Sequence, residues 1–474
     1  MAAIKFGTDG WRAIMAKEFT FENVKYVAEA LARYVKGSGL AGRGVVIGYD
    51  NRFLSEHFAQ AVAEVFCGHE IKIFMNNRSM PTPVTAFAVK LKETAGAVML
   101  TASHNPPEYN GIKFIPEYAG PALPYITNEI ERLLHEALTD GKVVETSFEK
   151  AVNNGLVEYF DPFPAYTEHL KSIIDTKAIK EANLKVIVDP MYGAGIDYLD
   201  TVLRDAGCQV ETIHGYRDAL FGGSLPEPSD KVLTQLKKLV VERRAHLGLA
   251  MDGDADRFGV IDADGAYITA NQVLTLVYYH LLANKNIRGP VARSVATTHM
   301  LDRIARDFGM DVDETPVGFK YIGESMMKRG SILGGEESGG LSIAGHIPEK
   351  DGILANALIA EMVAWHKKPV REILKDIEDK YGRLFSERKD IRCSQETKER
   401  VLESLKELAP ASVAGKAVHK VLSIDGRKFV LEDGSWALIR ASGTEPLFRI
   451  YVEANSVDDL KAIQEEIVEL VGLG

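Results

Sequence analysis

The sequence predicts an α/β protein of three similar domains with mainly parallel, mixed sheets, followed by a smaller α+β domain. Two observations carry this expectation. A strand–helix–strand pattern occurs three times, and in its two clearest copies an aspartate ends the first strand and a glycine ends the helix: Asp50 to Gly68, then Asp189 to Gly207. Such repeats imply parallel strands joined by crossover helices. The C-terminal part lacks the pattern. It reads as short strands broken at Asp425-Gly426 and Asp433-Gly434, the signals of an antiparallel sheet. With 474 residues, 46% of them hydrophobic, the chain is long enough for about three or four domains of roughly 100–150 residues.

Each element follows in order. Thr20 caps a first helix whose apolar face is Val24, Val27, Ala28, Leu31 and Val35, and Gly37 ends it. GVVIGYDNR (44–52) is a buried strand leaving into a polar loop, a helical stretch through Ala61 and Val62 reaches Gly68, and IKIF (71–74) is the next strand. The apolar run at 97–100 is a strand end that delivers Ser103, His104 and Asn105 into a turn, which Pro106 and Pro107 keep from becoming helical. The second copy is KVIVD (185–189), a helix reaching Gly207, and QVETI; the third and looser copy is PVARSV (290–295), MLDRIARDFG (300–309) and MDVDET. The charged stretch 366–390 reads as a helix and linker, the last domain is expected to swing on its part near 366–385, and a capped helix from Ser456 closes the chain. The expected domains are 1–145, 155–256, 257–368 and 385–474.

Composition bounds the function. A net charge of −11 argues against nucleic acid or anionic membrane as a general partner, and no apolar run approaches the ~20 residues of a membrane span. Cys67, Cys208 and Cys393 are far apart and form no zinc or disulfide pattern. With no apolar signal core in MAAIKFGTDGWR, a soluble cytoplasmic protein is expected.

Five segments could carry chemistry. In LGLAMDGDADRFGV (247–260) a strand ends in Asp252, Asp254 and Asp256, with Arg257 next. Three close carboxylates repel unless a cation lies between them. A calcium loop of EF-hand type fits poorly, because Arg257 stands where glycine is needed and Ala263 where a bidentate Glu is needed. A hard dication, most simply Mg²⁺, fits better, with room for a phosphate oxygen. Ser103 beside His104 suits a phosphorylated serine better than a hydrolase dyad: neighbouring side chains of an extended segment point apart, and no G-x-S-x-G elbow is present. A plain solvated turn is the third reading. Lys113 could neutralise an alkoxide or move a proton.

In ILGGEESGGLS (332–342), Glu336 and Ser338 suit sugar hydroxyls, with His346 and Lys350 following; the bland alternative is a glycine-rich turn. In WALIRASGTEPLFRIYVEA (436–454), Arg440, Ser442, Gly443, Thr444 and Arg449 form an anion nest in a hairpin turn, or merely a hairpin with surface arginines. FGTDGWR (6–12) brings Arg12 as a weaker candidate.

Taken together, TASHNP, DGDADR, GEESGG and RASGTEP, in that order, resemble the α-D-phosphohexomutase family, and the likeness spans essentially the whole chain. The resemblance implies four domains in a heart shape around a central cleft, each giving one loop. It implies Ser103 as the phosphoserine with His104 beside it, Asp252, Asp254 and Asp256 with Ser103 as the Mg²⁺ ligands, and Arg257 and Lys113 flanking the transfer. Glu336 and Ser338 would grip sugar hydroxyls, and Arg440, Ser442, Gly443, Thr444 and Arg449 the substrate's own phosphate. Dual-specificity phosphomannomutase/phosphoglucomutase enzymes carry a histidine where this chain has Gly340. The E-K-D-G segment (349–352) and PVGFK (316–320) resemble dedicated phosphoglucomutases, which adds Gly318, Lys320 and Lys350 to the expected site. The implied activity interconverts hexose 1- and 6-phosphates, glucose preferred, through a 1,6-bisphosphate; mannose and glucosamine phosphates are the alternatives. A phosphatase using Asp252 as nucleophile and Asp254 as acid/base, or a non-catalytic sugar-phosphate sensor, is the reading from outside the mutases. Oligomeric state is not readable.

Overall fold

The computed structural model describes residues 4–5, 10–443 and 445–473, in four sheets. The first contains β1 (Trp11–Ile14), β2 (Val45–Tyr49), β3 (Ile73–Met75), β4 (Gly96–Leu100), β5 (Tyr109–Pro116) and β6 (Val157–Tyr159), in the order β1-β5-β4-β2-β3-β6. The second contains β7 (Lys185–Asp189), β8 (Gln209–Thr212), β9 (Leu247–Met251), β10 (Phe258–Asp262) and β11 (Tyr267–Ile268), in the order β11-β10-β9-β7-β8. The third contains β12 (Val291–Ser294), β13 (Val312–Thr315), β14 (Leu333–Glu336) and β15 (Gly340–Ile343), in the order β13-β12-β14-β15.

One motif underlies all three. A central strand (β2, β7 or β12) pairs in parallel with the strand after its crossover helix (β3, β8 or β13) on one side. On the other side it pairs in parallel with β4, β9 or β14, and that strand turns back into an antiparallel neighbour. The alternation of strand and helix predicted this mixed architecture, and the inner strands β2, β4 and β9 are buried along their whole length, as strands covered on both faces are.

The fourth sheet is wholly antiparallel: β16 (Phe385–Arg392), β17 (Ser412–Val413), β18 (Lys416–Leu422), β19 (Arg427–Leu431), β20 (Trp436–Ala441) and β21 (Leu447–Ala454), in the order β16-β21-β20-β19-β18-β17. The β18–β19 and β19–β20 turns fall at the Asp-Gly pairs, and the closing helix Val457–Leu470 is capped by Ser456.

Packing ties the units unequally. The first and fourth each have their own apolar core, whereas the second and third share one. The helix Gly352–His366 explains the shared core. It is buried on every side from Gly352 to Ala364, as expected of a helix apolar all round. The fourth unit touches the third through a small apolar contact of Val295 and Ala296 with Trp436, Leu438 and Tyr451.

Three readings change. The first helix is Phe21–Gly37 with Thr20 at its N-cap, as read, but the strand expected at 71–74 runs Ile73–Met75, the stretch that pairs with β2. The second sheet continues through β10 and β11, past the division drawn at 256/257, because β10 hydrogen-bonds along all of β9. The stretch 366–390 contains the expected helix, but its linker is only three residues long. Its helix Val370–Tyr381 buries Val370, Ile373, Leu374 and Ile377 in the shared core, and 385–392 is a strand paired along its whole length with β21. The charges of that strand belong to an exposed sheet edge, where they discourage further pairing. Only residues 382–384 connect the third and fourth units.

Candidate active site

The turns after β4, β9 and β14 meet in one place. Ser103 sits in the first, 1% exposed, with φ at +51. Its N–H donates to Thr101 Oγ1 at 2.8 Å and its Oγ donates to Asp252 Oδ2 at 2.8 Å. Gly253 allows this approach: a Cβ there would lie 2.6 Å from the Ser103 carbonyl oxygen. The left-handed turn also corrects the expectation that Ser103 and His104 diverge. They are in contact, Oγ to Nδ1 at 3.2 Å. His104 is nevertheless a poor base. Burial, together with the charges of Arg257, Arg12 and Lys113, pushes its pKa down to about 2 against a weaker pull from Asp254.

The acidic trio is buried, and its ligand atoms lie within 4.8 Å of one another. Burial and the neighbouring Asp254 and Asp256 push the Asp252 carboxyl well above the usual carboxylate range. For Asp254, burial acts the same way, but Lys113 and Thr82 outweigh it and hold the carboxyl below its usual value. Lys113 Nζ donates to Asp254 Oδ2 at 2.9 Å and Asp256 Oδ2 at 3.0 Å, and Thr82 Oγ1 donates to Asp254 Oδ2 at 2.6 Å. Asp254 Oδ1 and Asp256 Oδ1 are buried with no hydrogen-bond partner among the described residues. Buried unpaired carboxylate oxygens are costly, and an oxygen-only donor set of this kind fits a hard divalent ion. The trio therefore passes as a metal site.

Arg257 follows the trio. Its N–H donates to Asp252 Oδ1 at 3.0 Å, its guanidinium lies 3.7 Å from Glu227, and its buried Nε has no partner among the described residues. The turn after β14 packs against it, with Phe258 N donating to Gly339 O at 3.3 Å. Glu336 Oε1 accepts from Ser338 Oγ at 3.0 Å, and Glu336 Oε2 is buried without a partner among the described residues. Burial, then Glu337, raises the Glu336 carboxyl.

Lys350 comes in over Gly340, with Nζ 3.3 Å from Asp256 Oδ2 and 5.7 Å from the centre of the Phe319 ring. A Cβ on Gly340 would lie 2.4 Å from Lys350 Cδ, so the lysine stem fills the space that a side chain at 340 would take. Arg12 donates to Asn105 Oδ1 at 2.9 Å on the serine turn.

The remaining candidates lie on the fourth unit and on the segment 316–320. Arg440 and Arg449 are cross-strand partners at the base of the β20–β21 turn. Ser442 is 3% exposed, and its Oγ accepts from Glu445 N at 3.3 Å. Gly443 is open to solvent, and Thr444 lies outside the described residues. Arg449 Nε is buried without a partner among the described residues. Gly318, at φ +126, caps the helix Phe319–Arg329, and Lys320 on its first turn lies 5.3 Å from the centre of the Tyr321 ring.

Sequence reasoning missed four residues here. Asp425 Oδ2 accepts from Arg440 Nε at 2.7 Å and from Val317 N at 3.1 Å, so it joins the anion turn to the PVGFK segment. In sequence it signalled only a turn. Lys398 Nζ donates to the carbonyls of Ser442 at 2.7 Å and Glu445 at 2.9 Å. Thr82 and Arg52 support the trio and the serine turn; the only sequence signal was the Asp-x-Arg that follows the buried strand GVVIGYDNR.

Family comparison agrees with the geometry. Regions described as phosphoglucomutase/phosphomannomutase alpha/beta/alpha domains I, II and III match residues 3–140, 164–265 and 269–381, and the C-terminal domain of the same family matches 388–470. A Thermococcus kodakarensis protein named phosphoglucomutase/phosphomannomutase is 31% identical, covering 98% of each chain. A Pyrococcus abyssi protein named probable phosphoglucosamine mutase is 33% identical, over 98% of this chain and 97% of its own. A crystal structure from Thermus thermophilus, named for phosphomannomutase, has a TM-score of 0.85 and 35% identity, over 99% of each chain. Among the described residues, no helix is long and apolar enough to cross a membrane. From its first domain to its last, the chain belongs to the phosphoglucomutase/phosphomannomutase family of α-D-phosphohexomutases, enzymes that are isomerases of sugar phosphates.

Proposed function

We propose that this enzyme interconverts glucose 1-phosphate and glucose 6-phosphate through a phosphorylated Ser103 and a glucose 1,6-bisphosphate. The observation that carries the reading is the 2.8 Å contact of Ser103 Oγ with Asp252, inside a buried trio in which Asp254 Oδ1 and Asp256 Oδ1 lack hydrogen-bond partners among the described residues. Burial and the charges of Arg257, Arg12 and Lys113 lower the basicity of His104, which disfavours it as the base of a serine hydrolase. Nor does Asp254 suit the general acid of a phosphatase, since Lys113 and Thr82 hold its carboxyl below its usual value.

Phosphoryl transfer asks the protein mainly for alignment and charge. Mg²⁺ is the ion we assign to Asp252, Asp254 and Asp256, and when bound it neutralises charge on the phosphoryl oxygens of Ser103. Lys113 and Arg257 flank the transferring group. Glu336 and Ser338 accept from and donate to sugar hydroxyls, with Lys320 and Lys350 beside them. Arg440, Ser442, Gly443 and Arg449, joined by Thr444, hold the phosphate that is not reacting, and Arg12 approaches from the serine side. Because that nest contacts phosphate and not the ring, it accepts either end of the bisphosphate as the sugar turns over. The fourth unit, linked along the chain through 382–384 and resting on the third through a small contact, reorients to keep hold of the intermediate.

Glucose is preferred in this reading because Gly340 seats Lys350 instead of carrying a histidine. The relatives' names include glucosamine and mannose enzymes, so the test compares all three. In a coupled assay primed with bisphosphate, glucose 1-phosphate should turn over fastest, and Ser103→Ala should lose nearly all turnover while melting at the wild-type temperature. Faster turnover of glucosamine 1-phosphate or mannose 1-phosphate would replace the substrate; full activity of Ser103→Ala would sink the mechanism. The three cysteines are unpaired, in keeping with a reducing cytoplasm.

A further inference from the structure

We propose that Arg52 is the positioning residue that aligns Ser103 for phosphoryl transfer, acting through the backbone of the serine turn; this rests on Ser103 being the phosphoserine. Arg52 lies just beyond β2 and is fully buried, at 0% exposure. One terminal nitrogen donates to the carbonyls of Pro106 at 2.8 Å and Tyr109 at 3.0 Å. The other donates to the carbonyls of Ser103 at 2.7 Å and Asn105 at 2.7 Å. Four main-chain carbonyls of one turn thus converge on one guanidinium through charge-assisted bonds, which are roughly twice as strong as neutral ones.

The guanidinium cannot slide. Asp50 Oδ2 lies 3.2 Å from its Nε, and Asp50 Oδ1 accepts from Arg52 N at 3.0 Å and Ser55 Oγ at 2.8 Å. The Phe221 ring of the second unit covers it, 5.0 Å away, and Arg217 donates to the Arg52 carbonyl at 3.1 Å. Arg52 therefore locks the serine turn to the unit that carries Asp252. Two consequences reach the reacting atom. Ser103 keeps a φ of +51, a left-handed conformation that a non-glycine residue holds only when its surroundings enforce it. The planar trans peptide also turns the His104 N–H away from Arg52 when the Ser103 carbonyl faces it.

The step affected is phosphorylation of Ser103. Its Oγ–phosphorus bond forms as the phosphorus–oxygen bond of the sugar ester breaks, and the Ser103 proton passes to the released sugar oxygen. The sugar and its other phosphate are held elsewhere, so Arg52 should govern kcat and not KM.

The test uses the full-length protein as wild type, Arg52→Ala and Arg52→Lys. Phosphate uptake on Ser103 from glucose 1,6-bisphosphate is followed by intact mass, and turnover by the coupled assay. Arg52→Ala should lose about 100-fold in kcat and in the phosphorylation rate, the scale of an ångström-level misplacement, with KM for glucose 1-phosphate within about threefold. Arg52→Lys should recover no more than about a tenth of the wild-type rate, since a point charge cannot serve four carbonyls at once. A folded variant that keeps kcat and phosphorylation within about threefold of wild type, or that changes KM alone, overturns the inference. If Arg52→Ala does not fold, Arg52→Lys, which keeps a charge opposite Asp50, decides by the same threshold. A wild type that takes up phosphate on Ser103 while the variants do so equally fast refutes only the role of Arg52; a wild type that takes up none refutes the phosphoserine itself.

Discussion

Gly340 and Lys350 form a steric pair, and the pair makes a sharp prediction. A methyl group added in Gly340→Ala would stand 2.4 Å from Lys350 Cδ, 2.7 Å from Cγ and 3.5 Å from Cβ. Ordinary carbon contacts need about 3.5–4.0 Å, so the stem must withdraw by about 1 Å or more. Lys350 Nζ is 3.3 Å from Asp256 Oδ2, with both side chains almost fully buried. Stretching that pair to about 4.5 Å at an effective dielectric constant of about 20 weakens it by about 1.3 kcal/mol, or about tenfold in rate if the charge serves the transition state. Stability should change little, by about 1 kcal/mol, because the displaced atoms belong to a flexible chain and not to backbone. The assay is kcat for glucose 1-phosphate in wild type, Gly340→Ala, Lys350→Ala and the double variant. Gly340→Ala should lose about tenfold, and the same change on the Lys350→Ala background should lose less than about twofold. An undiminished tenfold loss without the lysine would refute the reasoning, because Gly340 would then act on substrate directly.

Other outcomes follow from the same geometry. Dialysis against EDTA should lower the melting temperature and abolish turnover, and Mg²⁺ should restore both in wild type but not in Asp254→Asn, read by calorimetry with and without the ion. In the unphosphorylated protein, His104 has a pKa of about 2 against an ordinary 6.5. Its share of stability is therefore present above pH 6.5 and lost as pH falls toward 2. By pH 5 the loss should be on the order of 1–2 kcal/mol, and His104→Gln should flatten the urea midpoint against pH between 6.5 and 5 relative to wild type. Lys428 Nζ donates to the Val295 carbonyl at 2.7 Å and Glu314 at 2.8 Å across the junction of the third and fourth units. Lys428→Met should leave that junction loose and speed proteolysis at 382–384, with the protected core fragment unchanged.

How legible the molecule was depends on where its chemistry is written. The trio at Asp252, Asp254 and Asp256 was legible because carboxylates at alternate positions after an apolar strand have few structural uses. Ser103 was legible only beside it. Arg52 was not, because its partners are main-chain carbonyls, which leave no side-chain signature along the sequence. Asp425 was hidden by its neighbour: an Asp-Gly pair announces a turn, and the link to Arg440 and Val317 needs two units folded together. SERKDIR misled for a physical reason, since an exposed edge strand carries the same charges as a linker. The divergence expected of Ser103 and His104 assumed an extended chain, and the positive φ at Ser103 removes that assumption.

The three turns of the candidate site are one turn used three times. The serine turn follows β4, the metal turn β9 and the sugar turn β14, and each of these strands occupies the same place in its sheet, between the central strand and an antiparallel return. Parallel α/β sheets gather ligands at the carboxyl ends of their strands, so three copies facing a common point bring three such ends together without new backbone geometry. What differs is the partner held at the end of each central strand. At the end of β2 Asp50 holds Arg52; at the end of β7 Asp189 takes the ring of His214 at 3.0 Å; at the end of β12 Ser294 donates to Glu337 at 2.9 Å. Of these three, only the first grips the main chain of its neighbouring turn at four points, and that turn carries the serine proposed to form and break a bond. A nucleophile tolerates less displacement than a metal ligand or a hydroxyl contact, and the tightest brace stands where the tolerance is smallest.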